Sequence, residues 1–256
     1  MKLVDSHCHL PLIADEERSV SQIVADAHAN GVTEMLCVGV QIETINEVLE
    51  AAAAHENVFA SVGVHPNTEQ DAYDPSVNDL IEWVTKHEKV VAVGETGLDY
   101  FRSSGDLGWQ QDRFRTHINA AKELAKPIII HTRDASADTL RIMREEKAGE
   151  VGGVMHCFVE DYDTASAAMD MGFYISFSGI VTFKNATELQ AVAKRIPLER
   201  MLVETDSPWL APVPKRGKTN EPAFVQYTAN FLADLRDEDP QVLAAQTTQN
   251  YHTLFH

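Results

Sequence analysis

Eight short runs of apolar and β-branched residues alternate with amphipathic stretches along the whole chain of 256 residues. The candidate strands are residues 3–9, 34–40, 58–65, 90–99, 127–133, 152–158, 174–179 and 201–207. The candidate helices between them include residues 19–30, 43–55, 76–87, 108–124 and 161–171. Strands that each lead into a helix predict parallel pairing through right-handed crossovers. Because eight such units recur about every 28 residues, the sequence predicts an α/β fold, a closed (β/α)8 TIM barrel.

An open, doubly wound sheet is the structural alternative to a barrel. It would normally carry a glycine-rich phosphate loop after an early strand, whereas here the first predicted strand ends in His7-Cys8-His9. No linker rich in Pro, Gly or Ser divides the chain, and the part from Glu221 onward is predicted to form helices that close the barrel. We therefore expect residues 1–256 to form a single domain.

Composition restricts the compartment and the partners. The chain has 21 lysine and arginine residues against 39 aspartate and glutamate residues, a formal net charge of −18, and so lacks the general basic surface of duplex-binding proteins. Three cysteines without a Cys-x-x-Cys pair argue against a disulfide framework. No apolar run approaches the roughly 18 residues of a membrane span, and the first strand leaves no room for a signal peptide. We expect a cytoplasmic protein without a membrane partner, and a monomer, because no exposed heptad or edge strand indicates otherwise.

Imidazole and carboxylate side chains recur at the trailing ends of the predicted strands. The residues concerned are His7, His9, Glu95, His131, His156 and Asp206. Trailing ends of all barrel strands meet at one face, where barrel enzymes place their active sites. Each residue alone has a simpler interpretation, such as a hydrogen-bonded core histidine, a buried ion pair or a helix cap. Their convergence predicts a metal site, because burying unpartnered ionisable groups is costly.

Four histidines and two carboxylates exceed the ligands of one tetrahedral ion and suit two divalent ions that share a carboxylate. We expect Glu95 to be the bridge, because it belongs to the fourth strand, between two groups of ligands. These groups are His7, His9 and Asp206 for one ion, and His131 and His156 for the other. Asp206 is also placed to accept the proton of an attacking water, so Asp206 and Glu95 are the predicted catalytic residues. Imidazole ligands favour zinc, while the carboxylates leave magnesium and manganese open.

Several residues near the same barrel mouth are predicted to contact a substrate. Lys215, Arg216 and Lys218 form the densest basic cluster of the chain, in a loop after the eighth strand. Cations there can hold phosphate oxygens, although a solvated surface loop explains the cluster equally well. His65 and Arg133 also end predicted strands and are expected to contact an anionic substrate. Aromatic residues that can stack on a base are Trp209 and the pair Tyr100-Phe101.

The motifs at the strand ends resemble those of the TatD family of metal-dependent hydrolases, close to its YcfH-like branch. The matching stretches are Val4-Asp5-Ser6-His7-Cys8-His9-Leu10, Gly63-Val64-His65-Pro66, Gly94-Glu95-Thr96-Gly97-Leu98-Asp99-Tyr100, Ile130-His131-Thr132-Arg133, His156-Cys157-Phe158 and Glu204-Thr205-Asp206-Ser207-Pro208. The resemblance covers nearly the whole chain. It implies an amidohydrolase-like barrel with the six metal ligands named above. Members of the family are described as metal-dependent deoxyribonucleases, some with exonuclease activity, which implies DNA as the substrate.

Two other functions compete with a phosphodiesterase acting on DNA ends. The same activated water can attack the carbonyl of an amide or a carboxylic ester, including the aminoacyl ester of a tRNA. Glu95 occupies the fourth-strand position where other metal barrels carry a modified lysine, which disfavours a cyclic-amide hydrolase. The second competing function is that of a binding protein that keeps a metal site without catalysis. A complete ligand set argues against this interpretation.

Overall fold

The computed structural model describes residues 1–69 and 73–256, and eight β-strands alternate with helices in it. The strands are β1 (Leu3–Cys8), β2 (Val32–Val38), β3 (Val58–Val62), β4 (Val90–Asp99), β5 (Ile128–Arg133), β6 (Gly153–Met155), β7 (Phe173–Phe177) and β8 (Met201–Val203). They pair in chain order, each parallel to the next. The predicted order of strands along the chain is therefore confirmed.

The ring closes between β8 and β1, just beyond the end of β8. A parallel bridge joins Cys8 to Ser207. The N–H of Asp206 donates to the carbonyl of His7 at 2.9 Å, and the N–H of His9 donates to the carbonyl of Ser207 at 2.9 Å. The prediction of a TIM barrel is confirmed, and this closure brings the ends of the first and last strands together.

Several strands end earlier than the apolar pattern predicts. β3, β6 and β8 end at Val62, Met155 and Val203, so the ionisable residues that follow them lie in the connections at the carboxyl ends. The backbone of Cys157 has a φ of 42° and that of Asp206 a φ of 55°, which is incompatible with an extended strand. The backbone therefore turns at Cys157 and Asp206, at the barrel mouth.

Ten helices are described around the strands. They are α1 (Leu10–Ile13), α2 (Val20–Ala29), α3 (Ile45–Ala54), α4 (Val77–Thr85), α5 (Gly108–Leu124), α6 (Ser136–Glu145), α7 (Tyr162–Asp170), α8 (Thr187–Arg195), α9 (Val225–Arg236) and α10 (Pro240–Phe255). Helices α2 and α4 begin at capping boxes, in which Ser19 and Ser76 exchange hydrogen bonds with the residues three positions later. The described helices cover the five helical stretches predicted from the sequence to within two residues at each end.

The C-terminal helix α10 closes the end of the barrel away from the strands' carboxyl ends. Its residues Tyr251 and Phe255 join an apolar cluster that takes side chains from β1, β2 and β4 to β8, including Val4 and Leu202. A cluster to which so many strands contribute side chains lies in the barrel interior. Because α10 packs against this interior, the predicted closing role of the C-terminal helices is confirmed. Within the described part of the chain, no helix combines the length and the apolar character that crossing a membrane requires.

Candidate metal centre

Glu95, on β4, lies at the centre of the predicted ligands and is buried. Its two carboxylate oxygens face different groups of imidazoles. Oε2 lies 3.3 Å from Nε2 of His7 and 4.0 Å from Nε2 of His9. Oε1 lies 2.7 Å from Nε2 of His156 and 3.1 Å from Nδ1 of His131. The residues that the sequence analysis selected from distant parts of the chain are thus brought to one place.

Asp206 completes the side of the cluster that β1 supplies. Its Oδ1 lies 3.5 Å from Nε2 of His9 and 3.7 Å from Nε2 of His7. His65 joins the other side, because its Nε2 lies 3.2 Å from Oε1 of Glu95. His65 was predicted to contact substrate, and its position also puts it within reach of an ion.

The donor atoms of this cluster fit divalent metal ions. Three sets have one ligand atom from each member within 4.8 Å of the others. They are His7, His9 and Glu95; His7, His156 and Asp206; and His65, Glu95 and His131. Imidazole nitrogens and carboxylate oxygens in this proportion are typical of zinc and related ions.

Two glycines of the β4 motif allow the strands to approach closely at this point. Gly97 has a φ of +137°, and a Cβ there would lie 2.0 Å from the carbonyl oxygen of His131. Gly94 has a φ of +129°, and its Cβ would lie 2.7 Å from the carbonyl oxygen of Ile129. Only glycine fits both conditions, so the Gly-Glu-Thr-Gly sequence places Glu95 next to the ligands of β5.

Acceptors outside the cluster orient three of the imidazole rings. The carbonyl of Val38 lies 2.9 Å from Nδ1 of His9. Oε1 of Glu204 lies 3.3 Å from Nδ1 of His156, and Oδ2 of Asp99 lies 3.3 Å from Nε2 of His131. Glu204 therefore supports a predicted ligand, His156. Asp99 was not predicted in this role, although its place at the end of β4, beside β5, is the signal that could have found it.

The carboxylates of the cluster are held in their charged forms. Burial raises the pKa of Glu95, but His156, His65 and His131 outweigh that effect and bring the pKa well below its usual value. Burial likewise raises the pKa of Asp206, and the hydrogen bond from His9 with the charges of His7 and His156 lowers it overall. Both groups are therefore anionic near neutral pH and can act as ligands or as proton acceptors.

A cavity of about 720 Å³ opens above the cluster at the carboxyl ends of the strands. His65, Arg133 and Trp209 line it, as their strand-end positions predict. Arg102, three residues after β4, also lines it and was not singled out from the sequence. It follows Phe101 in an irregular segment, and no pattern in the sequence pointed to it.

The basic cluster of the loop after β8 lies elsewhere. Among the described residues that line the cavity, Lys215, Arg216 and Lys218 are absent. The Nζ of Lys215 lies 4.8 Å from the ring centre of Phe224, and the guanidinium carbon of Arg216 lies 3.9 Å from that of Phe183. These cation–π contacts hold two of the cations against the protein surface, so contact of the three with a substrate stays a prediction.

The barrel and the imidazole–carboxylate cluster at its carboxyl face define a barrel metal hydrolase. A family model described as "TatD related DNase" matches residues 4–256. An Escherichia coli K12 protein named "Uncharacterized metal-dependent hydrolase YcfH" is 48% identical over 100% of this chain and 96% of its own length. The "3'-5' ssDNA/RNA exonuclease TatD" of Salmonella typhimurium is 34% identical over 91% of each chain. The crystal structure of YJJV, a TatD homolog from Escherichia coli K12, has a TM-score of 0.89 at 27% identity and covers 99% of this chain and 97% of that one.

The chain belongs to the TatD family of metal-dependent hydrolases.

Proposed function

We propose that the protein is a two-metal phosphodiesterase that hydrolyses DNA from its ends. The observation that carries the proposal is the division of imidazoles between the two oxygens of Glu95. His7 and His9 face Oε2, whereas His65, His131 and His156 face Oε1. A carboxylate with a separate group of imidazoles on each oxygen is suited to bridge two ions.

This division, with Asp206 beside His7 and His9, supports the predicted ligand sets. His7, His9 and Asp206 would hold one ion, His131 and His156 would hold the other, and Glu95 would be shared. Two bound divalent ions would lower the pKa of water and neutralise charge on a phosphodiester. The imidazole-rich set favours zinc, and magnesium or manganese are the alternatives.

Asp206 is the proposed proton acceptor. In hydrolysis the water oxygen adds to phosphorus, a proton of the water passes to a base, and the ester P–O bond breaks while the leaving oxygen takes up a proton from solvent. Asp206 lines the cavity, and its pKa is lowered by the imidazoles around it, so that it is unprotonated near neutral pH. Glu95 is buried more deeply and faces imidazoles on both oxygens, which suits a ligand better than a base.

The relatives support nucleic acid as the substrate class. The family model carries the description DNase, and the Salmonella relative is named an exonuclease on single-stranded DNA and RNA. A cavity that opens at the barrel mouth admits a strand end more readily than the middle of a duplex.

A substrate panel tests the proposal. Metal-reconstituted protein should hydrolyse single-stranded DNA, and Asp206→Asn should lower kcat by about 10²-fold or more, because a general base is lost. Duplex DNA, RNA and aminoacyl-tRNA are assayed beside it. Activity on aminoacyl-tRNA alone would replace the phosphodiesterase by an ester hydrolase. Full activity of Asp206→Asn would remove that residue from the chemistry, and inactivity on every nucleic acid would overturn the proposal.

A further inference from the structure

The cavity above the cluster has its positive charge on one side. Among the described residues lining it, Arg102 and Arg133 are the two that carry a permanent positive charge. Arg102 follows β4 and Arg133 ends β5, which are adjacent strands. Both guanidinium groups therefore belong to the same side of the barrel mouth.

These two arginines differ from most others in this acidic chain. Arg18, Arg113, Arg115, Arg141 and Arg236 form ion pairs with carboxylates. Within residues 1–69 and 73–256, Arg102 and Arg133 form none, and the guanidinium carbon of Arg133 lies 3.9 Å from the ring centre of Phe101. A guanidinium that stacks on a ring keeps its donors available for the oxygens of a phosphate.

The opposite side of the mouth carries an apolar wall next to Asp206. Trp209 and Leu210, which follow β8, line the cavity together with Ile180, which follows β7. In a ring of eight strands β8 lies across from β4, so this wall faces the arginines across the barrel mouth. The side chain of Trp209 is half-exposed, and its ring centre lies 5.3 Å from that of His9.

The backbone beneath Trp209 is held from two directions. The Nδ2 of Asn220 donates to the carbonyl of Trp209 at 2.6 Å and to that of Thr205 at 2.8 Å. A Cβ on Gly179 would lie 2.1 Å from the carbonyl oxygen of Leu210, so the loop is seated directly on the backbone that follows β7. These contacts fix the backbone of the loop and leave the indole of Trp209 half-exposed beside the predicted ligands. The indole is therefore positioned for a planar group to stack on it.

We propose that the two walls bind the two parts of a nucleotide at a strand end. The guanidinium groups of Arg102 and Arg133 hold backbone phosphates, and the indole of Trp209 stacks on the terminal base. The inference rests on the proposed function and assigns residues to the binding of its substrate. A base can lie against the indole only after it has left its complement, so this wall accepts an unpaired terminal base.

Oligonucleotides with and without a terminal base test the apolar wall. Trp209→Ala should raise KM for a thymidine oligonucleotide about tenfold, because stacking of one base on an aromatic ring increases affinity by about that factor. The same variant should leave KM unchanged for an oligonucleotide whose terminal residues at both ends are abasic, and Trp209→Phe should restore most of the loss. Equal effects on both oligonucleotides would overturn the base-binding role of Trp209.

The cationic wall is tested with the abasic oligonucleotide, because its phosphates are intact. Arg102→Gln and Arg133→Gln should each raise KM for both oligonucleotides about tenfold, because each loses a charge-assisted hydrogen bond to a phosphate. Arg195→Gln is the matched control, because Arg195 also stacks on an aromatic ring, 3.4 Å from the ring centre of Tyr162, but lies outside the cavity lining. Unchanged KM in both cavity variants would overturn the phosphate-binding role.

Binding without turnover separates this inference from the proposed function. In Glu95→Gln, the thymidine oligonucleotide should quench tryptophan fluorescence, and the quenching should disappear when Trp209→Phe is added. A wild-type enzyme that cleaves DNA but shows no preference for single-stranded over blunt duplex ends would contradict the inference and leave the nuclease function intact. Inactive wild-type protein whose Glu95→Gln variant still shows quenching that depends on Trp209 would contradict the nuclease function alone.

Discussion

At the residue scale, two imidazole rings of the centre contact carboxylates that lie outside the predicted ligand set. Glu204 is completely buried, and its Oε1 lies 3.3 Å from Nδ1 of His156 while it also accepts the N–H of Cys157 at 2.7 Å. Asp99 contacts His131 and itself accepts a hydrogen bond from Nδ2 of Asn67 at 2.9 Å. These partners fix the rotation of each ring, so the nitrogen facing Glu95 is set before any ion arrives.

Replacing Glu204 tests this support directly. Glu204→Gln removes the charge behind His156 but keeps the size of the side chain, and we expect metal affinity to fall about 10–100-fold, as for other partners of metal-bound histidines. Glu34→Gln is the matched control, because Glu34 contacts His252 at 2.8 Å on the other end of the barrel. Competition with a chelator measures both. Equal Kd values for Glu204→Gln and wild type would contradict the supporting role.

At the scale of elements, helix α5 secures the chain beyond β3, where His65 lies. The N–H of Val64 donates to Nε2 of His117 at 3.0 Å, and Nδ1 of His117 donates to the carbonyl of Arg113 at 2.8 Å. The ring is therefore held neutral in one tautomer. Burial lowers the pKa of His117 to about 4, from an ordinary value of 6.5.

This pKa predicts an acid-sensitive stability. Because the unfolded chain takes up the proton first, stability conferred by neutral His117 is complete above pH 6.5 and is lost as the pH falls towards about 4. The difference corresponds to on the order of 3 kcal/mol. His117→Gln can still accept the N–H of Val64 but cannot titrate, so its unfolding free energy in urea, measured with EDTA, should decline less over that range. Parallel declines would contradict the assignment.

The contact between β4 and β5 yields a second prediction for an element. Gly97→Ala combines a positive φ with a Cβ 2.0 Å from the carbonyl oxygen of His131, so β5 must move away from β4. Gly172→Ala shares a positive φ of +89°, and no described atom lies within 4 Å of its Cβ, so it shows the effect of strain alone. Strain costs about 1–3 kcal/mol. In chemical unfolding with bound metal, Gly97→Ala should lose clearly more stability than Gly172→Ala, and equal losses would contradict the close approach.

At the scale of the whole molecule, the sequence predicted the features that follow from the parallel arrangement of the strands. Carboxyl ends of barrel strands converge whatever the loops do, so His7, Glu95, His131 and Asp206 could be placed together from their strand positions alone. The direction of Lys215 and Arg216 could not be predicted, because it depends on contacts with Phe224 and Phe183 that form only in the folded chain. Arg102 sits in an irregular segment without periodicity, and only the fold shows that it reaches the cavity.

The net charge of −18 leaves few cationic side chains to neutralise phosphates, so we expect DNA affinity to depend only weakly on salt. With two phosphate contacts, from Arg102 and Arg133, a single strand should lose no more than roughly sevenfold in affinity between about 50 and 200 mM salt. Repulsion between the acidic protein and DNA weakens over the same range and reduces the loss further. Binding of the oligonucleotide to Glu95→Gln measures the slope, and a loss of about 10³-fold would indicate a broad basic surface instead.

The central claim is that Glu95 joins two ions held by imidazoles from opposite sides of the barrel mouth. Anomalous diffraction from crystals of the zinc- or manganese-reconstituted protein tests it most directly. We predict two peaks, one beside His7, His9 and Asp206 and the other beside His131 and His156, with one carboxylate oxygen of Glu95 directed at each. A single peak, or two peaks that Glu95 does not bridge, would contradict the account.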